Sequence, residues 1–153
     1  MNRVLRSVCL IPFTAVAILA AGFDWGEPVG SVLELVMLQR YNDAYRMCDS
    51  VLALTPDDVD FHYVRLAVLQ SQMSDYESYA LDGQKCVSMA ESVLVRVERR
   101  LAGNPPDDEK VRLNLIKATT LGGLGMTRAK MGGMLTGIRD AKISYDLFRR
   151  LQS

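Results

Sequence analysis

Apolar residues recur at steps of three and four along almost the whole chain after Gly22, the period of helices with one buried face. Pro28 suits a first helical turn, where a missing N–H has no partner to lose, and Val32, Leu35, Val36 and Leu38 follow at helical spacing to about Gln39. Tyr41, Ala44, Tyr45, Cys48, Val51 and Leu52 form a second stripe, which must end before Pro56 because the ring disfavours helix in the preceding residue. Asp57 and Asp58 offer a cap for a third helix, carrying Phe61, Tyr63, Val64, Leu66, Ala67, Val68 and Leu69 and broken at Ser74 and Asp75. A long fourth stripe is predicted from Tyr76 to Leu101, ended by Gly103, Asn104, Pro105 and Pro106. Asp107, Asp108 and Glu109 favour the start of a fifth helix, reaching about Met131. Gly132 and Gly133 allow a tight turn into a last amphipathic helix bearing Met134, Ile138, Ala141, Tyr145, Phe148 and Leu151. With no strand pattern anywhere, the prediction is an all-α fold of six helices in antiparallel pairs.

The first 22 residues follow a different pattern. Arg3 and Arg6 precede an apolar run, Val8 to Ala21, closed by the small residues Ala20, Ala21 and Gly22. At about 14 residues the run is shorter than the ~20 a membrane-spanning helix needs, and its layout is that of a secretory signal peptide. Cleavage near Ala21 or Gly22 is expected, giving a leader over 1–22 and one helical domain over 23–153. Phe23, not Cys, follows the small residues, so no thiol is offered for a lipid anchor.

Charge narrows the partners. Losing Arg3 and Arg6 takes the net charge from zero to about −2, which argues against general affinity for nucleic acid or anionic lipid. The distribution is uneven: Asp24 to Glu91 holds twelve acidic and four basic residues, whereas the chain after Gly123 holds six basic and two acidic. Solvated helix faces account for this, as does head-to-tail stacking of neighbouring molecules. Lys117, Arg128, Lys130, Arg139 and Asp140 are too frequent for a bilayer span, so no membrane span is expected in the mature chain.

Candidate chemistry is sparse. Cys9 leaves with the leader, and Cys48 and Cys86 lie on apolar stripes where a thiol acts as a small hydrophobe, although one disulfide between them is open. His62, the one histidine, stands among Asp57, Asp58, Asp60 and Tyr63, either as ordinary surface beside a capped helix or as a metal or acid–base group. The aspartates lack the later ligands of a calcium loop, no Cys pair has metal-ligand spacing, and no Gly-rich segment follows a strand to cradle phosphate. No catalytic residue, cofactor or metal is therefore expected.

Leu52-Ala53-Leu54-Thr55-Pro56-Asp57-Asp58 is echoed by Leu101-Ala102-Gly103-Asn104-Pro105-Pro106-Asp107-Asp108, as stacked helical hairpins require. Tyr41, Ala44, Cys48, Val51, Leu52 and Pro56, then Tyr63, Leu66-Ala67 and Tyr76, then Leu121, Leu124-Gly125, Gly132, Gly137 and Ala141 fall at the spacings of tetratricopeptide (TPR) hairpins. The chain loosely resembles that family; Pro28, Ser31 and Val32 depart from its first helix, and Tyr79 stands where the family usually has Ala. The resemblance implies a short TPR-like α-solenoid of hairpins over about 28–56, 59–104 and 108–153. Its first helices would line a protein-binding groove with Leu33, Met37, Val64, Val68, Gln72, Met126 and Lys130. Independently of the family, the four-residue recurrence of Gly125, Ala129, Gly133, Gly137 and Ala141 predicts close approach of two helix backbones.

The expectation is thus an exported, non-catalytic adaptor in the periplasm or envelope of a bacterium, binding a protein or peptide. A helical bundle holding a small apolar ligand near Met126, Met131 and Met134, or the opening section of a larger repeat array, are the alternatives. Tyr145, Phe148 and Leu151 share a face with no polar cap after it, which predicts partial exposure and self-association through this helix.

Overall fold

The computed structural model describes residues 26–151, so the expected leader lies outside the described residues. Those residues form six α-helices and no strand: α1 Glu27–Met37, α2 Tyr41–Leu54, α3 Val59–Tyr76, α4 Tyr79–Ala102, α5 Asp107–Lys130 and α6 Met134–Leu151. Among them, no helix is long and apolar enough to cross a membrane.

Local chemistry sets most of the boundaries. Pro28 occupies the first turn of α1, and the Asp58 carboxylate accepts the Phe61 N–H at 3.0 Å to cap α3. Asp107, Asp108 and Glu109 fill the first turn of α5, with Arg128 and Lys130 in its last, each suiting the helix dipole. The third boundary corrects the sequence reading. α3 continues through Ser74 and Asp75 to Tyr76, and the break falls at Glu77 and Ser78, so the fourth helix starts at Tyr79. Glu77 adopts φ 50°, and the Ser78 N–H donates to the Met73 carbonyl at 3.1 Å, closing α3 with a left-handed residue that no glycine announces.

Consecutive helices pack against each other, α1 also touches α3, and α3 also touches α5. Side-chain pairs fix the directions. Tyr45–Gln72 and Asp49–Arg65 make α2 and α3 antiparallel, as Glu98–Lys117 and Glu91–Arg128 do for α4 and α5. Asp60–Arg112 and the Gln70 side chain against Gly123 make α3 and α5 parallel. The core lies where these layers meet: Val32, Cys48, Leu66, Val68, Leu69, Met73, Cys86, Val93, Val97, Leu113 and Ile116 are fully buried. One edge of the molecule therefore gathers the turns at 38–40, 77–78 and 131–133, and the opposite edge the turns at 55–58 and 103–106.

Candidate functional site

The seven residues expected to line a groove do not form one open face. Leu33, Val64 and Val68 are core residues, because the apolar stripes of α1 and α3 face each other. Gln72 is half-buried and accepts a hydrogen bond from the Tyr45 hydroxyl at 3.0 Å. Met126 is half-buried, while Met37 and Lys130 are exposed. Sequence periodicity marks an apolar stripe but not which of two neighbours covers it, so groove and core read alike until the helices are packed.

A tyrosine-rich edge lies at the first set of turns, with Asp75 and Tyr76 exposed, Tyr45 and Tyr79 half-buried and Tyr41 buried beneath them. The Tyr41 hydroxyl donates to the Asp75 carboxylate, which also accepts from the Gln39 amide at 3.1 Å, and the Tyr41 and Tyr76 rings meet edge to face at 6.0 Å. Burial raises the Tyr41 hydroxyl far above the usual tyrosine range, and the hydrogen bond and charge of Asp75 push the same way. Burial pushes Tyr45 up to about 12, against the pull of Arg65. Arg65 and Lys85 stand 5.5 and 6.0 Å from the Tyr45 ring centre, and Lys130 stands 5.5 Å from that of Tyr79. Aromatic faces, cations and the Asp75 carboxylate at one edge can hold an extended peptide by stacking and charge-assisted hydrogen bonds. Residue spacing alone marks Tyr41, Tyr45 and Tyr79 only as stripe members; the sequence signal for this edge is that a tyrosine opens both α2 and α4.

The opposite edge is ionic. A pocket of about 280 Å³ is lined by Asp57, Asp58, Val59, Asp60, Arg100, Glu109, Arg112 and Leu113. Arg112 pairs with Asp60, and Arg100 with Glu109 at 2.6 Å. Burial raises the Asp60 carboxyl, Arg112 opposes that, and Asp60 Oδ1 has no hydrogen-bond partner. His62 Nε2 lies 2.8 Å from the Pro56 carbonyl, which can only accept, so the ring donates and braces the turn. Among the described residues no group of three or more His, Cys, Asp or Glu is placed to hold a metal ion. Cys48 and Cys86 are buried free thiols and are not bridged in this structure; Cys86 lies 3.6 Å from the Thr127 hydroxyl.

The small-residue seam joins α5 to α6. A Cβ on Gly125 would lie 2.6 Å from the Gly137 carbonyl oxygen, and one on Gly137 would lie 2.5 Å from that of Gly125. Around this crossing α6 buries Gly137, Asp140 and Ser144. Ser144 donates to the Ala118 carbonyl at 2.7 Å; Arg128 reaches Asp140 at 2.6 Å and Glu91 at 2.7 Å, tying α4, α5 and α6 together. The apolar stripe of α6 is only partly covered, as its spacing predicts. Phe148 and Leu151 are half-buried, whereas Met134, Leu135, Ile138 and Tyr145 are exposed. Backbone approach at the glycines leaves no depth for large side chains, so small and polar residues take the contact. No family model, curated protein or solved structure matches the chain.

Proposed function

We propose that the protein is an exported, non-catalytic scaffold of TPR-like helical hairpins that holds a protein or peptide partner in a bacterial cell envelope. The observation that carries this reading is the packing order. Each helix lies against its sequence neighbours, and the odd-numbered helices lie side by side, parallel where α3 meets α5. Hairpins stacked in this way bring the turns of several hairpins together at each edge of the molecule, where one extended partner can span them. The partner surface is the tyrosine edge: Met37 and Lys130 from the expected groove, with Tyr76 and Tyr79 beside them, and Gln72 positioned by Tyr45. The pocket at the opposite edge has four carboxylates and two arginines, which disfavours the alternative of a small apolar ligand there.

Two measurements test the reading. N-terminal sequencing of the protein recovered from the envelope should begin at Gly22 or Phe23; a retained Met1 overturns export with cleavage. Peptides selected from a displayed library against the protein should lose at least about tenfold in affinity, 1.4 kcal/mol, when Tyr79→Ala and Lys130→Glu are combined. Selection that yields no peptide, or peptides indifferent to both changes, overturns the tyrosine edge as the binding surface.

A further inference from the structure

α6 turns its apolar side outward. Met134 (58% exposed), Ile138 (59%) and Tyr145 (62%) lie on one stripe, with Ala141 exposed between them. Lys142 and Arg149 are exposed on the flank of that stripe, since Ile138, Lys142, Tyr145 and Arg149 follow each other at steps of four, three and four. A contiguous apolar strip of this kind on a folded domain marks an interaction surface. Its edge charges are positive, so its counterpart should be apolar and acidic.

The outer face of α1 has that composition. Glu27, Gly30, Glu34 and Leu38 are exposed on its single uncovered side, while Val29, Val32, Leu33 and Val36 face the core. Among the described residues nothing lies within 4 Å of the place where a Cβ on Gly30 would be, so this face has a shallow gap in its middle. From the structure we infer that copies of this chain stack head to tail, with α6 of one packed antiparallel on α1 of the next.

The register follows from spacing. Glu27 and Glu34 are seven residues apart, as are Arg149 and Lys142, which is about 10.5 Å along each helix at 1.5 Å per residue. Placing Glu27 against Arg149 puts Glu34 against Lys142. The same alignment sets Tyr145 over the gap at Gly30 and Ile138 against Leu38. α6 followed by α1 of the next copy also repeats the antiparallel relation that α2 has with α3, and α4 with α5, inside the molecule. Because the two faces differ, the contact is heterologous and leaves a free α6 and a free α1 at the ends of every assembly, so growth is open-ended. This association meets the tyrosine edge only at the Leu38 turn, and none of the four charged positions changed in its test is among the residues of that binding surface, so it stands or falls separately from partner binding.

Sedimentation of the full chain over a wide concentration range tests the inference. The parent should show mass rising steadily with concentration, more weakly at high salt. Glu27→Lys with Glu34→Lys, or Lys142→Glu with Arg149→Glu, should each require at least about tenfold higher concentration for the same average mass, because like charges then face each other. Equal mixtures of the two double variants should associate again, and the quadruple variant should associate alone. All four positions are exposed, and circular dichroism of each variant should match the parent. A parent of constant monomer mass overturns the inference. So does full association of Glu27→Lys/Glu34→Lys by itself, which would mean an α6–α6 contact, and so does association untouched by either double variant, which would place the contact away from these two faces.

Discussion

The two ends of this molecule are held together by different physics. Where α1, α2 and α3 meet, the contact is made by side chains: Val32, Ala44, Cys48, Leu66, Val68 and Leu69 are almost wholly removed from water. Where α5 meets α6, the most extensive helix contact of the molecule, it is made by backbone against backbone at Gly125 and Gly137, and by the buried polar groups of Asp140 and Ser144. An apolar core tolerates exchange of one hydrophobic group for another of similar volume. A backbone crossing tolerates no added atom, and a buried ion pair tolerates no missing partner. The α5–α6 end should therefore be the more easily broken by small changes, although it is the more closely packed.

The largest effect should follow from Arg128→Ala. Asp140 is 4% exposed and its carboxylate is paired to Arg128 at 2.6 Å, so removing the guanidinium leaves a buried charge with only the exposed Arg139, 3.8 Å away, as its partner. A loss of about 4 kcal/mol is expected, read from the midpoint of urea unfolding. Adding Asp140→Leu should recover a good part of it, because the pair is then replaced by an apolar group rather than half removed. Recovery by the second change separates an ion-pair effect from general damage to α5.

The next contrast is between one methyl group and a whole side chain. Gly137→Ala places its Cβ 2.5 Å from the main-chain oxygen of Gly125 in α5, a clash relieved only if the two helices move apart. It should cost about 3 kcal/mol, at the upper end of overpacking effects, despite the helix propensity alanine gains. Leu66→Met, at a fully buried site in α3, should cost less than about 1.5 kcal/mol because volume is conserved. Thermal unfolding of the two variants compares them directly, and a Gly137→Ala protein as stable as Leu66→Met would mean that the α5–α6 crossing can open without cost.

The same contrast explains what the sequence revealed. Four of the six helices were legible at both ends because large apolar residues at a helical period, with Pro28, Asp58, Gly103 and the acidic turn at Asp107, mark faces and boundaries. The four-residue recurrence of Gly125, Gly137 and their small neighbours predicted close approach, and the crossing lies there. The end of α3 was misplaced because Ser74 and Asp75 look like a breaker, whereas Glu77 takes the left-handed conformation without a glycine to announce it. The groove was not legible: Leu33, Val64 and Val68 carry the same periodic signal whether they face solvent or α1 and α3 face each other. Asp140 and Ser144 were missed because a polar residue on an amphipathic stripe reads as its solvated side, and only the partner groups Arg128 and Ala118 on α5 make burial affordable.

A smaller effect is expected from Tyr41→Phe, which removes the hydroxyl bonded to Asp75 while keeping the ring against Tyr76. About 1 kcal/mol of stability should be lost, the net worth of one such bond near the surface. Denaturant unfolding of this variant beside Gly137→Ala would show how much softer the side-chain end is to the loss of a single polar atom.

The smallest change to the molecule is the removal of one proton, and Cys48 offers it in the side-chain end. Burial pushes its thiol up to about 11 from an ordinary 9.0, the charge of Asp49 adds to this, and Arg65 opposes it. Since only the thiolate reacts with alkylating reagents, each pKa unit is a factor of ten and the side chain is wholly buried, Cys48 in the folded protein should be labelled at pH 8 at least about 100-fold more slowly than a free thiol. A chain with Cys9→Ala and Cys86→Ala isolates this thiol for the measurement. The sign for stability follows from the direction of the shift. The unfolded thiol ionises near 9 and the folded one only near 11, so the folded state binds the proton more tightly; the contribution is complete below about pH 9 and is lost as pH rises toward 11. Cys48→Ala should remove that part of the alkaline decline and leave stability at pH 7 to report only the smaller side chain. Labelling of native Cys48 at the rate of a free thiol would mean that α2 opens readily from α3, and that the side-chain end, rather than the glycine crossing, is the softer half of the molecule.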